Sequence, residues 1–345
     1  MTPTPTTSAE QCGDGRAKTT DILVLRAEAA GLLVMAIVLA VPVPAALGRA
    51  RWPARDPRVA LVCWQAVGLA GGLSLLGAAL TLAAGSLGGR WLPDIASLRH
   101  NWSRLGIPGW TGVALAAMVG IWLAVTAVRS TVRVVLARRQ HRVRLDAVAD
   151  DSLGRQLERS RPLSRSISAL ASAHLLSSGE LRLLDNPTAV AYCLPGLRPR
   201  IVVSQGAVAA LDPAEFGAVL AHEQVHARGR HDLLVQPFIA WRQTFPFLPT
   251  AAIALGAVEL LIEMLADDVA CRRCDPVSLG SALRRLGDEH FLLGSANTSE
   301  VKIELDQRIA RLSTPVRSLA LVTRITLYLA AVTLVILPPV ILVLT

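Results

Sequence analysis

Two histidines four residues apart, with a glutamate beside the first, are the residues of this 345-residue chain best placed to do chemistry: His222-Glu223-Gln224-Val225-His226. On an α-helix, positions i and i+4 project from one side a turn apart, so both imidazoles can reach the same metal ion. Glu223 then stands beside that ion, where a carboxylate can act as general base toward a water molecule. Zinc suits this arrangement, because it binds imidazole and lowers the pKa of a bound water to about 7. A catalytic zinc takes three protein ligands and keeps one position open, so a third ligand is needed. The candidate is Glu263, 37 residues after His226 on a separate predicted helix. Asp267 lies one turn further on the same face, suited to accept a hydrogen bond from a ligand histidine and set its tautomer. Two carboxylates on an otherwise apolar helix are costly to bury without such partners.

The elements that must hold these groups are legible in turn. Asp212 suits a helix N-cap, Pro213 the first helical position, and Glu215 the third residue of a capping box. Phe216, Val219 and Leu220 supply an apolar side, and Gly229 is a natural stop. A second helix is expected over 251–273; its apolar half, 251–262, is too short to cross lipid and is expected to be buried in protein or at an interface. Upstream, an amphipathic region at 155–176 reads as helix. Short extended runs at 181–184 and 189–193, the Pro195-Gly196 turn and a strand at 200–204 read as a small sheet ending in a hairpin.

The strand at 200–204 is expected to offer its edge to an extended polypeptide, with Arg200 and Val202 in contact with it. His231 is a candidate for steadying an oxyanion or binding substrate, the plainer reading being a surface histidine near a helix end. Cys271-Arg-Arg-Cys274 has ligand spacing, but no second pair exists to complete a four-ligand zinc site, so metal or redox use is the lesser expectation.

Composition sets the surroundings. Hydrophobic residues make up 52% of the chain, too many for one ordinary water-soluble domain. Four runs without a charged residue, 29–47, 59–89, 105–128 and 325–345, are long enough to cross roughly 30 Å of hydrocarbon as helices. Spans are expected at about 25–47, 60–84, 111–134 and 321–345, after a disordered tail at 1–20. Gly68, Gly71, Gly72 and Gly77 would let spans approach closely or else merely face lipid.

The net charge of +9 does not imply nucleic acid, because aromatics are only 4% of the chain and no stacking platform accompanies the arginines. Arg49, Arg51, Arg55 and Arg58 crowd the first loop, and Arg129, Arg133, Arg138, Arg139, Arg142 and Arg144 the end of the third span. By the positive-inside rule those flanks are cytoplasmic, which puts residues 138–320 in the cytoplasm and both termini outside. The expected fold is thus an α+β membrane protein: four transmembrane helices in the bilayer of a bacterial-type plasma membrane, and a mainly helical cytoplasmic domain with a small β-sheet.

The run from Leu211 through His222-Glu-Gln-Val-His226, followed by Glu263-Met-Leu-Ala-Asp267, resembles the gluzincin metallopeptidases, in particular the membrane family of the BlaR/MecR antirepressor type. Asn186-Pro187, the strand from Arg200 and Gly206 after it are similar to that family's segment upstream of the zinc helix, which makes Asn186 a further candidate for substrate contact. The resemblance covers about residues 180–315 and implies a Zn2+ endopeptidase with His222, His226 and Glu263 on the metal, Glu223 as base, and a transcriptional repressor as protein substrate. The β-lactam sensors of that type continue into an external penicillin-binding domain where this sequence stops at Thr345, so antibiotic sensing is not expected. The related HtpX and CAAX-protease type shares both motifs and implies quality control or processing instead. A non-catalytic signalling protein is the alternative of another class, disfavoured by the intact four residues.

Overall fold

The computed structural model describes residues 8–87, 107–149, 181–194, 200–229, 231–292, 298–314 and 317–344. The chain begins with α1 (Ser8–Ala40), α2 (Pro42–Arg49), a 3-10 turn (Trp52–Arg55), α3 (Pro57–Leu87) and α4 (Ile107–Ala149). Three strands follow, β1 (Leu181–Leu184), β2 (Ala191–Leu194) and β3 (Arg200–Ser204). Then come α5 (Gln205–Ala210), α6 (Pro213–Gly229), α7 (His231–Thr244), α8 (Pro249–Ala270), α9 (Pro276–Leu292), α10 (Thr298–Ser313) and α11 (Leu321–Leu344). The expected helix at 155–176 and the Pro195-Gly196 turn lie outside the described residues.

α3 is the hub of the apolar bundle and packs against α1, α4 and α11. Gly77 sits where three of these helices meet: a Cβ there would lie 3.2 Å from Leu342 and 3.3 Å from Leu32. Gly71 likewise admits Leu39 of α1, whereas Gly72 has open space and, with Gly68, faces an apolar hollow of about 1040 Å³ between α1, α3, α7 and α11. Gly77 alone of the four is tighter than ordinary contact; a Cβ at Gly68 would lie 3.9 Å from Phe238 and at Gly71 3.5 Å from Leu39, and at Gly72 it would meet nothing.

Among the described residues, five helical stretches are long and apolar enough to cross a membrane: Val24–Arg49, Pro57–Leu82, Val113–Arg133, Pro249–Ala270 and Leu321–Val343. Sequence reading expected four. The extra stretch is α8, whose apolar run extends further than 251–262 once the helix includes Pro249, Met264 and Leu265. α8 also packs on protein: Val258, Leu261 and Ile262 share a core with Leu61 and Trp64 of α3 and Phe238 of α7. The N-terminal segment differs too. α1 begins at Ser8, inside the expected tail, because no proline interrupts the chain between Pro5 and Pro42.

The sheet has the order β1-β3-β2. β1 pairs with β3 in parallel, Leu181 opposite Ile201, and β2 pairs antiparallel, Ala191 opposite Val203. This corrects the expectation that 200–204 is an edge. β3 is the central strand, its Ile201, Val202 and Val203 all buried, and both of its sides are taken by protein. A run of consecutive branched apolar residues is what such a doubly covered strand requires. Gly206, just after β3, is demanded by space: its N–H donates to the Asn186 carbonyl at 3.0 Å, and any Cβ would collide with the Pro187 carbonyl.

α6 is covered on two sides. Phe216, Val219 and Leu220 join Ile201 and Val203 of the sheet in one core, while Ala218, Ala221 and Val225 pack with Ala266 and Ala270 of α8 and Leu279 of α9. Alanines on that second side let α8 come close, which is what brings its carboxylates to the histidines.

Candidate active site

α6 starts as its sequence demands. The Asp212 Oδ1 accepts from the N–H of Ala214 at 2.8 Å and of Glu215 at 2.9 Å, and Glu215 Oε2 accepts from the Asp212 N–H at 3.0 Å. Glu215 is itself buried, and its other oxygen takes the Ser281 hydroxyl at 2.5 Å and lies 3.1 Å from the Arg285 guanidinium, tying α6 to α9. The register of α6 is thereby set, and two turns on it presents His222 and His226.

His222, His226 and Glu263 converge. His222 Nε2 lies 3.1 Å from His226 Nε2 and 3.2 Å from Glu263 Oε2, and His226 Nε2 lies 3.3 Å from Glu263 Oε1. Zinc with bonds of about 2.0–2.1 Å holds tetrahedral ligands roughly 3.3–3.4 Å apart, so this triangle has the edges that such an ion needs. Two aromatic nitrogens and one carboxylate are also a hydrolytic zinc donor set. The residues fit the metal.

Behind the triangle, His222 Nδ1 lies 3.0 Å from Asp267 Oδ1, and Asp267 is 1% exposed. A buried carboxylate in that position holds the proton on Nδ1 and leaves the Nε2 lone pair facing the triangle. Burial works against a charged His222, yet the Asp267 and Glu263 carboxylates outweigh it and lift the imidazole to about 10. The two carboxylates thus favour positive charge at this corner of the triangle, which a divalent cation held by a neutral His222 would supply. Burial pushes the Glu223 carboxyl above its ordinary range, opposed by the charges of His222, His226 and Arg308.

Arg308 of α10 escaped sequence reading. Its Nε donates to Asp267 Oδ2 at 2.9 Å, its Nη2 to Asp267 Oδ1 at 2.8 Å, and its Nη1 lies 3.0 Å from Glu263 Oε2. One turn on, Arg311 grips Asp268 with two hydrogen bonds of 2.5 and 2.7 Å and donates a third to the Ala54 carbonyl at 2.8 Å. The available signal was the adjacent acids Asp267-Asp268 at the end of a largely apolar helix, which call for cations, and the one-turn spacing of Arg308 and Arg311.

The histidines, Glu223 and Glu263 line a cleft of about 650 Å³, bounded by β2 from Ala191 to Cys193 and by α8, α9 and α10. Its size suits a ligand-binding site. The larger apolar hollow is lined by no titratable residue. Three expected contacts are not brought to the cleft. Asn186 accepts from the Thr188 N–H at 2.9 Å and shapes the turn before Ala189; Val202 is buried against Leu194; and Arg200 begins the central strand opposite Leu194. His231 opens α7, and its side chain lies outside the described residues.

Residues 156–261 match the family model of peptidase family M48. The match takes in the histidine-bearing helix α6 and the first half of α8, and ends two residues before Glu263. With the His-His-Glu group, it supports a metallopeptidase. Neither the curated proteins nor the solved structures contain a match to the chain.

Proposed function

We propose that this protein is an integral-membrane zinc endopeptidase that cuts a protein on the cytoplasmic side of the bilayer, and that its substrate is a regulatory protein of the transcriptional-repressor kind. The observation that carries the catalytic part is the triangle of His222, His226 and Glu263 with edges of 3.1–3.3 Å inside a cleft that also holds Glu223. The M48 match supports the peptidase class independently. Membrane residence is supported by the outward apolar faces of α4 and α11, where Ile121, Val128, Val332 and Val343 are all more than half exposed. The repressor substrate rests on the sequence resemblance to the antirepressor type.

Each residue then has a task. His222, His226 and Glu263 hold the ion, and Asp267 keeps His222 in the tautomer that can bind it. When bound, zinc supplies Lewis acidity that activates water and polarises the scissile carbonyl. Glu223 takes the proton from the attacking water and passes it to the leaving amine. Arg308 fixes both Asp267 and Glu263, so the donor set is assembled before substrate arrives. The polypeptide lies in the cleft beside β2, in place of the β3 edge that the sheet itself occupies.

The test is a proteome comparison of cells carrying the native chain or Glu223→Gln. A polypeptide that is trimmed only in the native cells identifies the substrate. Identical proteomes, with both proteins present at equal level, would overturn the reading; a trimmed protein that binds no DNA would overturn the repressor part alone.

A further inference from the structure

The Cys271-Arg-Arg-Cys274 turn follows directly on α8, and its helical i, i+3 spacing puts the two cysteines on one side of the turn. The Cys271 N–H donates to the Asp267 carbonyl at 2.9 Å, and the Cys274 N–H to that of Ala270 at 3.2 Å, so the turn continues the helix. Both cysteines are free and half-buried, packed with Ala221 and Val225 of α6. The Cys274 S–H donates to the Ala270 carbonyl at 3.3 Å. Beside each other the two thiols separate in acidity, Cys271 held above its ordinary range and Cys274 drawn below it. Between them Arg273 reaches Gln224, inside the His-Glu-x-x-His motif, at 3.2 Å.

We propose that Cys271 and Cys274 are a reversible thiol–disulfide site that tightens the end of α8 and loosens its hold on the metal-binding histidine. The oxidant is a low-molecular-mass disulfide. The Cys274 thiolate attacks one of its sulfurs and expels a thiolate, which picks up a proton; Cys271 loses its proton, attacks Cys274 Sγ, and expels the second half as a thiol. Two protein thiols lose two electrons in total, and one small disulfide becomes two thiols.

Residues three apart on a helix have Cβ atoms about 5–6 Å apart, whereas a disulfide needs about 3.5–4.5 Å. Closing the bond therefore draws the turn in by roughly 1–2 Å. The strain falls on the Cys271 bond to Asp267 and on Arg273–Gln224, the links to the carboxylate behind His222 and to α6. The effect on metal holding rests on the zinc reading above; disulfide formation does not.

The experiment uses full-length protein in nanodiscs, equilibrated across glutathione redox buffers, trapped with a maleimide and digested for mass spectrometry. The peptide carrying both cysteines is expected to pass from doubly alkylated to unalkylated and two hydrogens lighter, while Cys63 and Cys193 stay alkylated. Zinc affinity, measured by competition with a chelating dye, is expected to fall about tenfold on oxidation, in the range for disturbed outer-sphere partners. Cys274→Ser should abolish that fall. A peptide that stays alkylated at every ratio, or carries glutathione on each cysteine separately, overturns the disulfide; unchanged zinc affinity in the oxidised form overturns the coupling. Failure of the reduced protein to bind zinc would overturn the zinc site, with the alkylation pattern still deciding the disulfide.

Discussion

Arg308 meets Asp267 through two parallel hydrogen bonds of 2.8 and 2.9 Å and, with its third nitrogen, stands 3.0 Å from Glu263. One guanidinium thus braces both carboxylates of the site, the one in the triangle and the one behind His222. Only a planar fork can do this, since an ammonium is a single point of charge. Arg308→Lys is therefore expected to behave much like Arg308→Ala, each weakening zinc binding by about 10–100-fold. Zinc competition titrations on the three proteins check this; wild-type affinity in the alanine variant would refute the bracing role.

Metal removal should be visible as lost stability, because the donors are assembled only in the folded chain. With free zinc at a hundred times Kd, the gain is about 2.7 kcal/mol. Thermal midpoints with and without a chelator should separate for the native protein and for Glu223→Gln, whose ligands are intact. They should coincide for His226→Ala, which loses one corner of the triangle.

The N-cap of α6 can be tested without touching the site. Asp212→Ala leaves the N–H groups of Ala214 and Glu215 without their capping oxygen, and is expected to cost about 1–2 kcal/mol, with Asp212→Asn restoring most of it. Chemical denaturation midpoints of the two variants decide the matter. Equal loss in both would mean that the capping oxygen is not what holds this end.

Gly206 makes a sharper prediction. Its missing Cβ is the space that the Pro187 carbonyl fills, so Gly206→Ala must push backbone against backbone. A loss of roughly 1–3 kcal/mol is expected, the cost of overpacking. Gly72→Ala, with nothing near its Cβ, should be close to neutral in the same assay.

The hairpin and the central strand show where sequence reading runs short. Strand positions at 181–184 and 200–204 were readable because short branched runs between turn residues favour extended chain. Their order was not. That β3 lies in the middle depends on a parallel partner supplied by β1, and a strand's neighbours are chosen by the layers packed around it. The same holds for α8, whose composition suits a membrane while its carboxylates face α6.

By itself the sequence determined the local terms of the site: His222 and His226 on one side of a well-capped helix, Glu223 beside them, and Glu263 with Asp267 one turn apart. These follow from helix period and capping chemistry, which act over a few residues. Only the tertiary structure decided that α8 packs close enough to put Glu263 within 3.3 Å of both histidines, that Arg308 arrives from α10 to brace it, and that the cleft runs beside β2. Those relations join residues some 40 positions apart, such as Asp267 and Arg308, and are set by how complementary apolar faces fit together, which no local pattern encodes.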